Sequence, residues 1–460
     1  MRKLVRLVLT GLPLVVSLLA GLRNETLGQV MSDPSLAVTA VVTGLQSPTT
    51  MAFVAPNEFL VLEKETGRVL HVRDGVVVGT AIDLAVNASH ERGALGIALH
   101  PGFNSNHFVY IFWTWKGSGT GKGRLQGSDS SDLLMVPERG NRIDRFVWNG
   151  STLTFDRNIL RLAARGSDHH VGGVLCFGPD RKLYVFVGDQ NVRGQLQNVG
   201  SGPAPTNLNF TGVILRLNAS GTAPGTNPFF AVGQARGGQA GENIKRIFAY
   251  GVRNSFGMAF DPVAGNLWIQ ENGDDAFDEL DLVPPGFNSR WVQSMGPGSR
   301  HAQYRSIEVA SGELDSPSFL PTSLAPTFAQ AQASLVDLGG SAPGDPAFSW
   351  KFPLGLAGLG FLSSGNLGPG YQGDLFVGDV LTGRLFRFDL DAARTGFTSS
   401  DPRLADGVAD NVARGGLTES ETLIAGSGFG VVTDVETGPN GNLYVVSLTR
   451  NAVYQISAAP

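Results

Sequence analysis

Cysteine is nearly absent from this chain of 460 residues, because Cys176 is the only one. A single thiol excludes an intramolecular disulfide and the paired cysteine and histidine spacing of a zinc site. The fold must therefore depend on its apolar core, which a chain of this length can supply. Cys176 itself lies in the apolar run 174–177, which is typical of a buried structural thiol and not of a nucleophile.

Charge is scarce as well: Asp, Glu, Lys and Arg make up 16% of the residues, and the formal net charge is −5. No long run of basic residues is present, which excludes the electrostatic footprint of a nucleic-acid-binding protein. At the N-terminus, Arg2, Lys3 and Arg6 precede an apolar stretch at 7–22. That stretch barely approaches the ~20 residues of a membrane span, so residues 1–30 are predicted to be a cleaved signal peptide, with an N-terminal anchor as the alternative. We expect a secreted or periplasmic protein with no other membrane segment.

Long windows with the 3.6-residue apolar period of a helix are also missing, whereas glycine is abundant, at 61 residues. One phrase recurs instead: an apolar strand, a turn of Pro, Gly or Asn, and a second apolar strand. Its six copies begin at Met51, Gly96, Val174, Gly257, Leu359 and Asp434. A single hairpin leaves its apolar face in water, so the copies must pack on each other. The pattern predicts an all-β protein, a six-bladed β-propeller forming one domain over residues 40–460, with long loops at about 116–142 and 300–349.

Four longer phrases carry a resemblance to a known family. In chain order they are HERGALGIALHPGF (90–103), HVGGVLCFGPDRKLYVFVGDQ (170–190), IFAYGVRNSFGMAFDP (247–262) and ENGDDAFDELDLVPPGFNSRW (271–291). The chain resembles the glucose/sorbosone dehydrogenase family, whose best-known members are soluble, calcium-containing aldose dehydrogenases that depend on pyrroloquinoline quinone. The resemblance implies an oxidoreductase that oxidises an aldose hydroxyl by hydride transfer to this quinone with calcium assistance. Its partners would be a small sugar and an electron acceptor.

Such a reaction needs a base, because the sugar hydroxyl must lose its proton as the C–H bond gives up a hydride. Histidine suits that task, since it usually titrates near working pH. The resemblance places His170 at the family's base position. Asp189 ends the strand that follows and would orient His170, although a turn-forming aspartate is an equally good interpretation.

Cofactor contacts are also implied by the resemblance. The Arg-Asn pair in the third motif matches residues that contact the quinone in relatives, and two further positions fall near quinone-contacting sites. The predicted cofactor-binding residues are Glu91, Gln195, Arg253 and Asn254.

The acidic segment 271–279 is the candidate metal site, because oxygen ligands at this density suit calcium. By resemblance, the ligands are the backbone carbonyls of Gly273 and Asp274 and the carboxylate of Glu279, while Ser289 stands where relatives carry a tyrosine. A solvated acidic loop is the alternative.

The chain departs from the family in its last third. Basic residues that hold the carboxylates of the quinone in relatives are replaced at 381–382 and at 431–433. Each charge-assisted hydrogen bond contributes roughly 1.5–3 kcal/mol, so the loss of two predicts much weaker quinone binding. Lys351, Arg384 or Arg450 could compensate from other positions.

Two other functions stay open because of this departure. The first is a calcium-dependent hydrolase acting on lactones, with Asp275, Asp278 and Glu279 as its acidic cluster and His170 as base. The second is a non-catalytic extracellular propeller that binds carbohydrate or protein through its long loops.

Overall fold

A computed structural model describes residues 28–116, 140–162, 164, 168–191, 195–198, 210–311 and 324–460. Within these ranges the protein is built mostly of strands, which agrees with the all-β prediction. The strands, in chain order, are β1 (Val30–Met31), β2 (Leu36–Thr43), β3 (Pro48–Ala55), β4 (Glu58–Glu63), β5 (Arg68–Arg73), β6 (Val76–Asp83), β7 (Ala94–Leu99), β8 (Phe108–Thr114), β9 (Asn141–Trp148), β10 (Leu153–Leu162), β11 (Gly172–Phe177), β12 (Leu183–Val187), β13 (Val213–Leu217), β14 (Ile247–Tyr250), β15 (Met258–Phe260), β16 (Leu267–Glu271), β17 (Asp278–Leu282), β18 (Phe287–Asn288), β19 (Ala342–Pro343), β20 (Phe348–Trp350), β21 (Leu356–Phe361), β22 (Leu375–Asp379), β23 (Arg384–Leu390), β24 (Phe397–Thr398), β25 (Val408–Ala409), β26 (Ile424–Ser427), β27 (Val432–Thr437), β28 (Leu443–Ser447) and β29 (Ala452–Ala458).

Helices are short and lie between the strands. The α-helices are α1 (Phe103–Asn106), α2 (Phe230–Arg236), α3 (Gly238–Ile244), α4 (His301–Ser311) and α5 (Phe328–Ala333). Single 3-10 turns occupy Gln195–Gln197, Gly298–Arg300, Pro402–Leu404 and Glu421–Leu423. Among the residues that the structure describes, no helix is long and apolar enough to cross a membrane.

The described strands form six sheets, and each repeated phrase supplies the first two strands of one sheet. The sheets begin with β3, β7, β11, β15, β21 and β27, and each continues antiparallel into the next strand along the chain. These six inner strands contact one another in chain order, and β27 contacts β3 in turn. The sheets are therefore arranged around a common axis, which is the arrangement of a β-propeller.

A strand from near the N-terminus completes the last sheet. β2 pairs antiparallel with β29, from Leu36 opposite Ala458 to Thr43 opposite Ala452, so the sheet of β27 to β29 also contains a strand from the other end of the chain, while β1 pairs with β26 in the sheet before it. Gln29 Nε2 donates a hydrogen bond to the hydroxyl of Tyr454 at 3.0 Å. The folded part thus begins before residue 40, whereas most of the predicted signal peptide, residues 1–27, lies outside the described part.

The apolar core lies between neighbouring sheets. Every residue of β12, β22 and β28 is buried, so these strands are covered on both faces. Large aromatic side chains fill the spaces, for example Trp350 against Phe386 and Trp268 against Phe397. Each such side chain stabilises the fold by about 1.5–3 kcal/mol or more relative to exposure. Cys176 lies in β11, and burial raises the pKa of its thiol, as expected for a structural cysteine.

The segment predicted as a long loop at 300–349 contains α4, α5 and two short strands. The buried face of α4 carries His301, Tyr304 and Glu308, which are polar or amphipathic. An apolar period could not reveal this helix, because two of its three buried residues, His301 and Glu308, are polar and hydrogen-bonded, while only Tyr304 joins an apolar cluster. Of the other predicted loop, 116–142, residues 117–139 lie outside the described part.

Candidate functional site

Three loops that precede inner strands meet at one mouth of the ring. Glu91 lies just before β7, His170 just before β11 and Asn254 just before β15. The Glu91 Oε2 atom accepts hydrogen bonds from the Val171 amide at 3.3 Å and from Asn254 Nδ2 at 3.1 Å. Polar groups from three neighbouring sheets are therefore brought into one site.

His170 and Asp189 form a buried pair at the centre of this site. His170 Nδ1 lies 2.7 Å from Asp189 Oδ1, and the other carboxylate oxygen accepts a hydrogen bond from Trp291 Nε1 at 2.8 Å. An ionised Asp189 only accepts hydrogen bonds, so this contact favours the tautomer of His170 that has its proton on Nδ1 and its lone pair on Nε2. The side chain of Asp189 is fully buried, and that of His170 is 10% exposed. This arrangement equips His170 to act as a base on a bound ligand.

Arg253 is anchored next to this pair. Its Nη2 lies 2.5 Å from Asp274 Oδ1, its Nη1 donates to the Asn272 carbonyl at 3.1 Å, and its guanidinium lies 5.2 Å from the ring centroid of Trp291. Burial works to lower the pKa of Arg253, but the carboxylates of Asp274 and Asp189 outweigh it and raise the pKa. Arg253 is thus a buried, permanently charged cation at the mouth.

Several polar atoms around Arg253 are buried and lack a hydrogen-bond partner among the described residues. They include Arg253 Nε, Asn254 Oδ1 and Asp274 Oδ2. Buried polar atoms are normally paired, so a group of orphans at one mouth fits the presence of a polar ligand. These donors and acceptors suit the oxygen and nitrogen atoms of a quinone cofactor.

The loop at 273–275 is held by a residue that the sequence did not single out. Glu308 Oε1, on α4, accepts hydrogen bonds from the amides of Asp275 at 3.1 Å and Ala276 at 3.0 Å. Burial, and then Asp274 and Asp275, raise the pKa of Glu308 to about 8. Arg414 Nη2 donates to the Asp274 carbonyl, which the resemblance assigns to calcium. Asp274 therefore already contacts two guanidinium groups, that of Arg253 through its carboxylate and that of Arg414 through its carbonyl.

A second acidic group lies deeper, on β16 and β17. Carboxylate oxygens of Glu271, Glu279 and Asp281 lie within 4.8 Å of one another, and all three residues are buried. Burial raises the pKa of Glu271 and Glu279 well above the usual value, and it raises that of Asp281 to about 7 despite Arg290. Ser289 Oγ donates to Glu271 Oε2 at 2.7 Å. Oxygen donors at this density, with Asp281 Oδ2 unpartnered among the described residues, fit a calcium ion.

The predicted metal ligands are divided between these two groups. Asp274 lies with Asp275 and Glu308, whereas Glu279 lies with Glu271 and Asp281. The Gly273 amide donates to Asp278 Oδ1 at 2.9 Å. Ser289 adjoins the second group through its hydroxyl.

Asp278, which the hydrolase alternative requires, is occupied by structural contacts. Its Oδ2 accepts the amides of Leu354 and Gly355, both at 2.8 Å, while Oδ1 accepts that of Gly273. Among the predicted cofactor contacts, Gln195 begins a 3-10 turn, and its side chain lies outside the described part.

The cations that could compensate in the last third of the chain have other partners. Arg384 Nη1 donates to the Thr382 carbonyl at 3.2 Å, and Arg450 Nε donates to the Gly428 carbonyl at 3.1 Å. Lys351 Nζ lies 3.9 Å from Asp410 Oδ1. Arg414, on a loop after β25, is the cation that reaches Asp274. No local motif marks Arg414, which joins the site only through the fold, and although Trp291 ends the fourth motif, its contact with Asp189 of the second motif was not predicted.

Comparisons with known proteins agree with this description. A model of the glucose/sorbosone dehydrogenase family matches residues 45–319. Aldose sugar dehydrogenase YliI of Escherichia coli is 24% identical over 88% of this chain and 87% of its own. Quinoprotein glucose dehydrogenase B of Acinetobacter calcoaceticus is 30% identical over 56% of this chain and 52% of its own length. An uncharacterized protein of Synechocystis is 26% identical over 91% of this chain and 86% of its own.

Solved structures show the same fold. The apo-form of the soluble aldose sugar dehydrogenase of E. coli matches with a TM-score of 0.61 at 21% identity, covering 92% of this chain and 100% of that one. The PQQ-bound form of the aldose sugar dehydrogenase of Streptomyces coelicolor matches with a TM-score of 0.58 at 21% identity, covering 93% and 99%.

Proposed function

The chain belongs to the glucose/sorbosone dehydrogenase family, and from this premise we propose that it is a sugar dehydrogenase that oxidises an aldose at its anomeric hydroxyl. The observation that supports this most is the buried His170–Asp189 pair at the mouth where Arg253 and Asn254 also lie. Pyrroloquinoline quinone, when bound, would supply the two-electron acceptor for the hydride.

His170 performs the proton transfer in this reaction. Its Nε2 takes the hydroxyl proton while the sugar C–H bond breaks and its electron pair leaves as hydride, so the aldose becomes a lactone. Asp189 keeps the proton on Nδ1 before the reaction and stabilises the imidazolium that forms. Trp291 holds the second oxygen of Asp189, which fixes the plane of the carboxylate.

Four side chains would hold the cofactor. Arg253 supplies a buried positive charge, and Asn254 supplies an amide whose Oδ1 is unpartnered among the described residues. Glu91 would orient Asn254 through its Oε2, and the resemblance adds Gln195, which begins the 3-10 turn Gln195–Gln197. The replaced basic residues at 381–382 and 431–433 lead us to expect a weaker affinity for the quinone than a site with those cations would have.

Calcium would bind through the acidic residues of β16, β17 and the loop between them. The buried group of Glu271, Glu279 and Asp281 offers carboxylate oxygens, with Ser289 beside it. The resemblance adds the carbonyls of Gly273 and Asp274 as ligands, but the Asp274 carbonyl already accepts a hydrogen bond from Arg414 Nη2. A calcium ion there would offset the repulsion between buried carboxylates.

The number of blades and the cellular location are further parts of this proposal. We take each of the six sheets as one blade, giving a six-bladed propeller closed by β2. Residues 1–30 have a basic start followed by an apolar stretch, so we propose that they are an export signal. The protein would then be periplasmic or secreted.

Reconstitution tests the function. The purified protein is stripped with a chelator, supplied with calcium and pyrroloquinoline quinone, and assayed for reduction of an artificial acceptor with a panel of aldoses. We expect activity that needs the quinone and is lost in His170→Ala, while His107→Ala, which changes an exposed histidine, retains it. Turnover of lactones without quinone would favour the hydrolase, and silence in both assays would favour a binding protein.

A further inference from the structure

A cluster of two histidines and one aspartate lies beside the candidate site and has no part in the proposed reaction. His90 and His169 flank Asp168, and the metal-binding atoms of the three side chains lie within 4.8 Å of one another. His90 comes from the loop before β7, whereas Asp168 and His169 come from the loop before β11. The cluster therefore joins two neighbouring sheets.

The geometry places both imidazoles on one carboxylate. His90 Nδ1 lies 2.7 Å from Asp168 Oδ2, and His169 Nδ1 lies 3.3 Å from Asp168 Oδ1. The two rings stack, with centroids 4.4 Å apart and planes 29° from parallel. Both Nδ1 atoms thus lie next to the same carboxylate, one at each oxygen.

The backbone and the surroundings favour this convergence. His90 adopts a φ of 45°, in the left-handed region that non-glycine residues rarely occupy and that often marks functional positions. Ser89 Oγ donates to Asp168 Oδ2, which fixes the carboxylate as the outer partners of metal ligands commonly do. The side chains of His90 and His169 are 44% and 31% exposed, so an ion can reach them from solvent.

We propose that His90, Asp168 and His169 bind one divalent transition-metal ion of the kind that prefers imidazole, such as Zn²⁺ or Cu²⁺. Two imidazoles and one carboxylate form a donor set that suits these ions and not calcium, which prefers oxygen ligands alone. Three protein ligands leave a coordination position open for water or a small molecule. When the ion binds, it takes the place of the protons that otherwise link the two imidazole rings to the Asp168 carboxylate.

The bound ion would hold together two loops that border the candidate active site. The Asp168 carbonyl accepts the Glu91 amide at 3.2 Å, and His169 directly precedes His170 in the chain. Binding therefore fixes the two loops that carry the cofactor contact Glu91 and the base His170. This site does not depend on the proposed function, since it needs neither quinone nor sugar.

Metal titration tests the site directly. The full-length protein is stripped with a chelator, desalted and titrated with Zn²⁺ by calorimetry, and a separate sample is loaded with one equivalent of Cu²⁺ for electron paramagnetic resonance. The test variant is His90→Gln, which removes one imidazole from an exposed loop. The control is His107→Gln, because His107 is also exposed and also has a left-handed backbone, with a φ of 55°.

We expect one Zn²⁺ per chain in the wild type and in His107→Gln, and a dissociation constant at least about tenfold higher in His90→Gln. The copper spectrum should show nitrogen couplings from two imidazoles, falling to one in His90→Gln. An Asp168→Asn protein should weaken binding while it keeps both nitrogen couplings. Unchanged stoichiometric binding in His90→Gln, or no saturable binding to the wild type, would overturn the proposal.

Discussion

Asp189→Asn is the substitution that examines the candidate active site most closely. The hydrogen bonds that Asp189 accepts include those from His170 Nδ1 at 2.7 Å, Trp291 Nε1 at 2.8 Å and the Asn191 amide at 2.8 Å. Asparagine keeps the shape of the side chain but replaces one acceptor oxygen by an NH₂ donor. Because both sides of Asp189 face donors, the asparagine must present its NH₂ group to one of them.

Each orientation has a defined consequence. If NH₂ faces His170, Nδ1 must become the acceptor, the proton moves to Nε2, and the base is lost. If NH₂ faces Trp291, a buried N–H of the indole loses its partner. General-base catalysis contributes about 10²–10⁴ in rate, so the first orientation should lower kcat by that factor, equivalent to about 3–5 kcal/mol. The second orientation should also lower kcat, because a neutral amide stabilises the imidazolium less than the carboxylate does. The unpaired donor should also cost about 1–3 kcal/mol of stability.

The assay is the quinone- and calcium-reconstituted reduction of an artificial acceptor, with kcat and KM measured separately. Asp379→Asn is the matched control, since Asp379 is also fully buried at the end of a second strand and follows the same Val-Gly dipeptide, but hydrogen-bonds Thr382 and no histidine. Its kcat should stay within about threefold of the wild type. Equal kcat values for Asp189→Asn and the wild type, or equal losses in both variants, would refute the role of the pair.

Three further predictions concern stability. Burial raises the pKa of Asp379 to about 6. Such a group makes the fold lose stability as pH rises from about 4 to about 6, so the free energy of urea unfolding should fall by about 2 kcal/mol more between pH 4.5 and pH 7 in the wild type than in Asp379→Asn. An unchanged pH profile would contradict the assignment. Calcium at 100 times its dissociation constant should add about 2.7 kcal/mol to the free energy of unfolding. Glu279→Gln should abolish this gain, whereas Glu242→Gln, which changes an exposed glutamate, should keep it. Equal gains in both variants would exclude the β16–β17 site. Leu36→Ala in β2 should lower the free energy of unfolding by about 2–5 kcal/mol, because Leu36 is buried. Leu381→Ala, which changes an exposed leucine, should lower it by less than about 0.5 kcal/mol. An unchanged free energy of unfolding in Leu36→Ala would show that β2 does not close the ring.

Local pairing explains why much of the site could be predicted from the sequence. Gly172 pairs with Val187 across β11 and β12, so His170, two residues before, lies opposite Asp189, two residues after. Glu271 and Glu279 likewise face each other across β16 and β17. In both cases a recognisable hairpin carries the residues, and its register brings them together.

Residues that reach the site from distant segments could not be predicted in this way. Glu308 lies on a helix whose buried face is polar, so no apolar pattern identifies it. Arg414 contacts Asp274 only because the ring folds its loop over the same mouth. Trp291 belongs to the fourth motif and Asp189 to the second, and spacing along the chain does not show that the two touch. The pairing of Arg253 with Asp274 depends on the conformation of the acidic loop, which sequence spacing does not fix.

The measurement that tests the central claim most directly is a single turnover without oxygen. Protein loaded with calcium and pyrroloquinoline quinone is mixed with an aldose carrying either hydrogen or deuterium at C1, and the quinone absorbance is followed in a stopped-flow instrument. The account predicts reduction of the quinone with a primary isotope effect in the wild type and no reduction on the same timescale in His170→Ala. Reduction without an isotope effect, or at the same rate in His170→Ala, would contradict hydride transfer assisted by His170.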